Sequence, residues 1–92
     1  MRDVMIDVRV MGGLVDQIDV WVNHEIVTSS DAVAGDPSSW NGTISAAPIP
    51  VKVNVRGIGA ARYAVFVTVD GRVRPAVSRQ LGAGKDAYQF QL

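Results

Sequence analysis

A single histidine, nine acidic side chains and no cysteine narrow the chemistry open to this 92-residue chain. Nucleophilic or general acid–base catalysis needs a nucleophile, a base within hydrogen-bond reach and a group that orients the base. His24 has Glu25 beside it, but neighbouring side chains on a strand point to opposite faces, so the two form no local dyad. His24 reads as a surface or rim histidine. No Gly-x-Ser-x-Gly elbow occurs. The expectation is no catalytic residue and no enzyme.

Two glycine-rich segments invite a phosphate-binding reading. Gly57-Ile58-Gly59-Ala60-Ala61-Arg62 opens like a dinucleotide fingerprint, but Arg62 stands where the third glycine belongs and a strand pattern follows in place of a helix. Gly82-Ala83-Gly84-Lys85-Asp86 ends like a P-loop, with Asp86 where a magnesium-binding Ser or Thr is needed. Both read as β-turns. Asp31 and Asp36, with Ser29, Ser30, Ser38 and Asn41, could offer oxygen ligands to calcium, but the spacing fits no EF-hand and the bland reading is a solvated loop. Zinc lacks both the thiolates and the second histidine. No metal and no cofactor is expected.

Aromatic and arginine side chains leave binding as the open chemistry. Trp40 falls in the segment 29–42 beside Asn41, while Trp21 falls in the polar register of its strand. An indole flanked by Asp and Asn suits a sugar ring, by apolar stacking plus hydrogen bonds to hydroxyls. Trp40, Asn41 and Asp36 are thus the candidate glycan contacts, and Trp21 a cover for the outer face of a sheet. Asn41-Gly42-Thr43 is also a glycosylation sequon, meaningful only in a eukaryotic secretory setting. Arg56, Arg62, Arg72, Arg74 and Arg79 lie in the second half, and Arg72 and Arg74 share a strand face. With zero net charge, nucleic acid is disfavoured; seven arginines against two lysines suit a protein interface instead.

The elements that must position these residues are strands. Sixteen valines and six isoleucines face three leucines, a β-branched bias that favours a pleated sheet. Val4–Val10, Ile18–Val22, Val51–Val55, Tyr63–Val69 and Tyr88–Leu92 alternate with period two. His24–Thr28 extends the second strand or begins a third, and Thr43–Ala46 reads as a short strand. Tyr63–Val69 is apolar on both faces and reads as central. Asp70-Gly71 marks a hairpin. Residues 29–42 read as one long loop, and Pro48, Pro50 and Pro75 mark edges or crossovers. The expected fold is one domain over residues 1–92, an all-β, two-sheet antiparallel sandwich of seven to eight short strands, immunoglobulin-like or a small jelly roll.

Charge is split along the chain. Residues 1–46 hold two arginines and seven acids, and residues 47–92 hold seven bases and two acids. Either the halves neutralise each other locally, or the surface is bipolar and suits head-to-tail contacts between copies. Aspartate at position 3 stands where an export signal would have its apolar run, and no apolar stretch reaches membrane-spanning length. The expectation is a soluble chain without membrane insertion, cytoplasmic or incorporated into a virion. The leading functional expectation is a structural subunit of a repetitive assembly such as a virus or phage particle, with copies of itself or other subunits as partners. A carbohydrate-binding module using Trp40 is the alternative, and an enzyme comes third.

Overall fold

A computed structural model describes residues 1–31, 38–45 and 48–92. Among the described residues nine strands form: β1 (Arg2–Gly12), β2 (Val15–Val22), β3 (Glu25–Asp31), β4 (Ser39–Ile44), β5 (Pro50–Gly57), β6 (Arg62–Val69), β7 (Arg72–Val73), β8 (Val77–Gln80) and β9 (Lys85–Gln91). They make two antiparallel sheets. Sheet A has the order β4-β1-β6, with β7 and β8 both along the outer side of β6. Sheet B has the order β3-β2-β5-β9. The two sheets pack face to face as a small β-sandwich, as the residue pattern anticipated.

The two orders are the same order. Wherever two strands are neighbours in sheet A, the strands joined to them along the chain are neighbours in sheet B: β1 and β6 above, β2 and β5 below. The molecule is therefore one broad antiparallel sheet doubled over on itself. The fold line runs through Gly12-Gly13-Leu14, Gly57–Ala61 and Leu81–Gly84. Backbone hydrogen bonds cross it from segment to segment: Ile58 N to Leu14 O at 2.9 Å, Gly57 N to Gly84 O at 2.8 Å and Leu81 N to Ala61 O at 2.8 Å. Six of the nine glycines lie on this crease. In the segments that resembled phosphate loops, Gly57 and Gly84 sit where a neighbouring backbone approaches too closely for a Cβ, and Gly59 supplies a positive φ.

Between the sheets, the alternating valines and isoleucines form a continuous core. Ile6, Val20, Val53, Val55 and Tyr63 have no solvent-accessible surface at all. β6 is central in sheet A, as its two apolar faces suggested; outward, Phe66 is covered by the Arg9 guanidinium, 4.6 Å from its ring centre. Asp70 and Gly71 both take positive φ and close the β6–β7 hairpin. Asn23 and His24 do the same between β2 and β3, so His24 neither extends β2 nor begins β3.

Two sequence expectations need correction. Residues 29–42 are not one loop: β3 runs through Asp31 and β4 begins at Ser39. Trp40, Gly42 and Ile44 alternate inward on β4, but glycine shows no side chain to reveal the period and Ser39 and Asn41 imitate turn chemistry. Pro50 is also not at an edge. It is the first residue of β5, which is central between β2 and β9, and a proline is tolerated there because the missing N–H falls before the ladder begins. Pro75 does interrupt an edge, separating two-residue β7 from β8.

Candidate functional site

The doubled sheet decides where the two charged halves of the chain go. In sheet A the N-terminal strands β4 and β1 lie to one side and β6, β7 and β8 to the other; in sheet B the same line falls between β2 and β5. The halves lie side by side, not face to face. Both ion pairs among the described residues stay within one half: Arg9 with Asp7 at 2.6 Å, and Arg79 with Asp86 at 2.9 Å. One flank consequently carries Glu25 and Asp31 on β3, and the other carries Arg72, Arg74 and Lys85. The sandwich is electrically bipolar across its strands.

On the basic flank the sandwich is incompletely closed. Tyr88 and Phe90 on β9 point between the sheets, yet stay partly exposed and stack on each other with ring centres 5.4 Å apart. With Val65, Val67, Pro75 and Val77 they line a recess of about 160 Å³. Arg74 spans its mouth, donating from Nη1 to the carbonyl of Gln91 at 2.8 Å. Deeper along the seam, Asp86 ties the sheets together. It accepts from the Tyr63 hydroxyl at 2.7 Å and from Arg79 Nε and Nη2 at 2.9 and 3.1 Å.

This cluster fastens the two sheets together. The Arg79 fork holds the Asp86 carboxyl below its ordinary range, helped by the Tyr63 hydroxyl and opposed by burial. Burial first, and donation to Asp86 second, push the Tyr63 phenol well above its usual value. Each group is locked in the protonation state its partner requires, with no proton poised to move near neutrality. Among the described residues, no three His, Cys, Asp or Glu side chains come together to hold a metal.

The outer face of sheet B is a second surface with binding chemistry. Register places Ile26, Trp21, Lys52 and Gln89 in one row across the four strands, and Ser29, Asp19, Asn54 and Ala87 in the next. Lys52 Nζ lies 5.6 Å from the centre of the Trp21 ring. Asp19 accepts from Ser29 Oγ at 2.6 Å and Gln17 Nε2 at 3.1 Å. Small Ala87 leaves a depression of about 730 Å³, bordered by Trp21, Asp19, Asn54, Arg56 and Lys85. The Asn54 side-chain oxygen Oδ1 is buried and has no hydrogen-bond partner among the described residues.

The structure separates the residues the sequence had grouped. Trp40 lies on the inner face of β4, with its indole over Gly42 and packed against the core. Asn41 projects from the outer face of the same strand, exposed, so it and Trp40 point apart. Asp36 lies outside the described residues. Trp21 is on an outer face, half-exposed, while Arg72 and Arg74 both belong to the basic flank. His24 sits in the β2–β3 turn, exposed. Sequence periodicity alone does not bring Asp86, Arg79 and Tyr63 together as a group. One signal was legible: Asp86 shares its period-two register with Tyr88, Phe90 and Leu92, which places a carboxylate on an otherwise apolar face.

No family of known proteins matches this chain, and neither a curated protein nor a solved structure is detectably similar to it. Among the described residues, no helix is long and apolar enough to cross a membrane.

Proposed function

We propose that this chain is a non-enzymatic interaction module that associates laterally with copies of itself, as a subunit of a repetitive assembly. The observation that supports this reading is the segregation of charge onto opposite flanks, with neither ion pair bridging the halves. A molecule with unlike flanks makes heterologous contacts, which continue from copy to copy instead of stopping at a dimer. Complementary flanks also steer encounter, and that steering is screened by salt. Sedimentation velocity is the test. In low salt the weight-average sedimentation coefficient is expected to climb with concentration, and near 1 M salt, where the Debye length is about 3 Å, it should fall to the monomer value. A monomer at high concentration in both salts would refute the reading.

A carbohydrate-binding reading also has a specific observation behind it, but on a different residue from the one the sequence favoured. Trp21 presents its ring outward, beside carboxylate, amide and ammonium groups suited to sugar hydroxyls. In a glycan-array screen, Trp21→Ala should abolish any binding found, whereas Trp40→Phe should leave it intact. Binding that survives Trp21→Ala would remove this site.

A further inference from the structure

We propose that the free edge of β9 takes strand β3 of a second copy in antiparallel pairing, so that sheet B runs on from molecule to molecule. This rests on the self-association proposed above and names its surface.

Pairing parity shows which backbone groups are available. Leu92 N donates to Ile49 O at 2.9 Å and Gly57 N donates to Gly84 O at 2.8 Å, so Asp86, Tyr88 and Phe90 direct their N–H and C=O at β5. The alternate residues, Ala87 and Gln89, direct theirs away from the sheet. The window is bounded at both ends: Lys85 exchanges backbone bonds with Gly82, and Gln91 O is taken by Arg74. Within it the Ala87 N–H is turned to the Asp86 carboxylate, whose charge it helps to hold, while among the described residues the Ala87 carbonyl and the Gln89 backbone groups are left to face outward. On the opposite edge, Asn23 N donates to Pro50 O at 2.9 Å, which assigns Asp19 and Trp21 to β5 and Ile18 and Val20 to β3. Thr28 and Ser30 therefore face β2, and the Ser29 backbone faces outward.

The two edges match in length, direction and charge. β3 and β9 have seven residues each. Because the four strands of sheet B alternate in direction, its edges run oppositely, and a copy set alongside in the same orientation presents β3 antiparallel to β9. Ala87 and Ser29 belong to the same transverse row, as do Lys85 and Asp31. Continuing those rows places Ser29 opposite Ala87 and an acid opposite Lys85, and brings the flank bearing Glu25 beside the one bearing Arg74. Pairing β9 with β9 across a twofold would instead set basic flank against basic flank. Sheet A offers no equivalent, because Pro75 breaks its edge between β7 and β8.

Complementation tests the pairing. Ala87→Pro removes an outward N–H, and with it a contact to the Asp86 carboxylate, without touching a bond to β5; Ser29→Pro removes the outward N–H of β3 together with the Ser29 Oγ bonds to Asp19 and Gln17, leaving the ladder to β2 intact. Each variant alone is expected to associate at least tenfold more weakly than the native chain in low salt, with circular dichroism melts confirming the fold. Mixed one to one, Ala87→Pro supplies an intact β3 edge and Ser29→Pro an intact β9 edge, so the mixture should form a heterodimer and nothing larger. Lys85→Glu is a surface change that spares the fold, and should weaken native association severalfold in low salt with no difference in high salt. Salt-dependent association that is indifferent to Ala87→Pro and Lys85→Glu would overturn the pairing while leaving self-association standing. A mixture that stays monomeric, or a closed dimer that survives Ser29→Pro, would also overturn it. A native chain monomeric throughout would overturn both.

Discussion

Replacing Gly57 by alanine is expected to cost about 3 kcal/mol or more in unfolding free energy, a large share of the roughly 5–15 kcal/mol a domain of this size commands. A Cβ at Gly57 would fall against the Leu14 carbonyl oxygen, 2.9 Å from Val15 Cα and 3.1 Å from Leu81 Cδ1. The first two are backbone atoms, and neither can swing aside as the end of a side chain could. Relief requires moving the start of β2 away from β5, which endangers the hydrogen bonds from Ile58 N to Leu14 O and from Gly57 N to Gly84 O. Each is worth about 1 kcal/mol on top of the overpacking. Gly71→Ala is the comparison that isolates sterics. Its φ is +78° but nothing lies within 4 Å of a built Cβ, so only the conformational term of about 1 kcal/mol applies. Chemical denaturation of both variants checks the pair, and equal losses would show that the crease is not crowded as described.

Asp86→Ala should be the second most damaging change, at about 2–3 kcal/mol. The division of that loss is uneven. Tyr63 has no accessible surface, so its hydroxyl becomes a buried donor without its acceptor, a penalty of about 1–3 kcal/mol. The Arg79 side chain is 37% exposed and finds water instead, so its share is about 0–1 kcal/mol. Adding Tyr63→Phe to Asp86→Ala should then recover about 1 kcal/mol, because the orphaned hydroxyl is gone. If the double variant is less stable than Asp86→Ala alone, the hydroxyl is not the seat of the penalty.

The same fastening predicts how stability depends on pH. The Asp86 carboxyl is depressed when folded, so its contribution is complete above the unfolded value near 4 and is lost as pH falls through the lower folded value. The Tyr63 phenol is raised when folded, so between its unfolded value near 10 and the folded one the native state holds the extra proton and stability declines with rising pH. Native protein should lose stability at both extremes. Asp86→Ala should flatten the acid side, and Tyr63→Phe should flatten the alkaline side.

Much of this fold was legible in the residues because strand periodicity is local. Val51-Lys52-Val53-Asn54-Val55 announces a strand with one wet face, and the backbone needs no distant information to obey it. Asp70-Gly71 likewise contains its own turn geometry. Period two fails only where a side chain is missing or misleading: Gly42 hid the inward face of β4, and with it the placement of Trp40.

What the sequence by itself determined is therefore the strand class, the core alternation and the two charged halves of the chain. The polar register of Trp21 already marked its outer face, but the inward placement of Trp40, and which flank each charge reaches, was decided by long-range pairing. Those choices depend on register between strands far apart in the chain, set where the glycine crease lets three segments approach within hydrogen-bond distance. The Tyr63–Arg79–Asp86 fastening has the same origin, because Tyr63 and Asp86 stand 23 positions apart and meet only when the two sheets close.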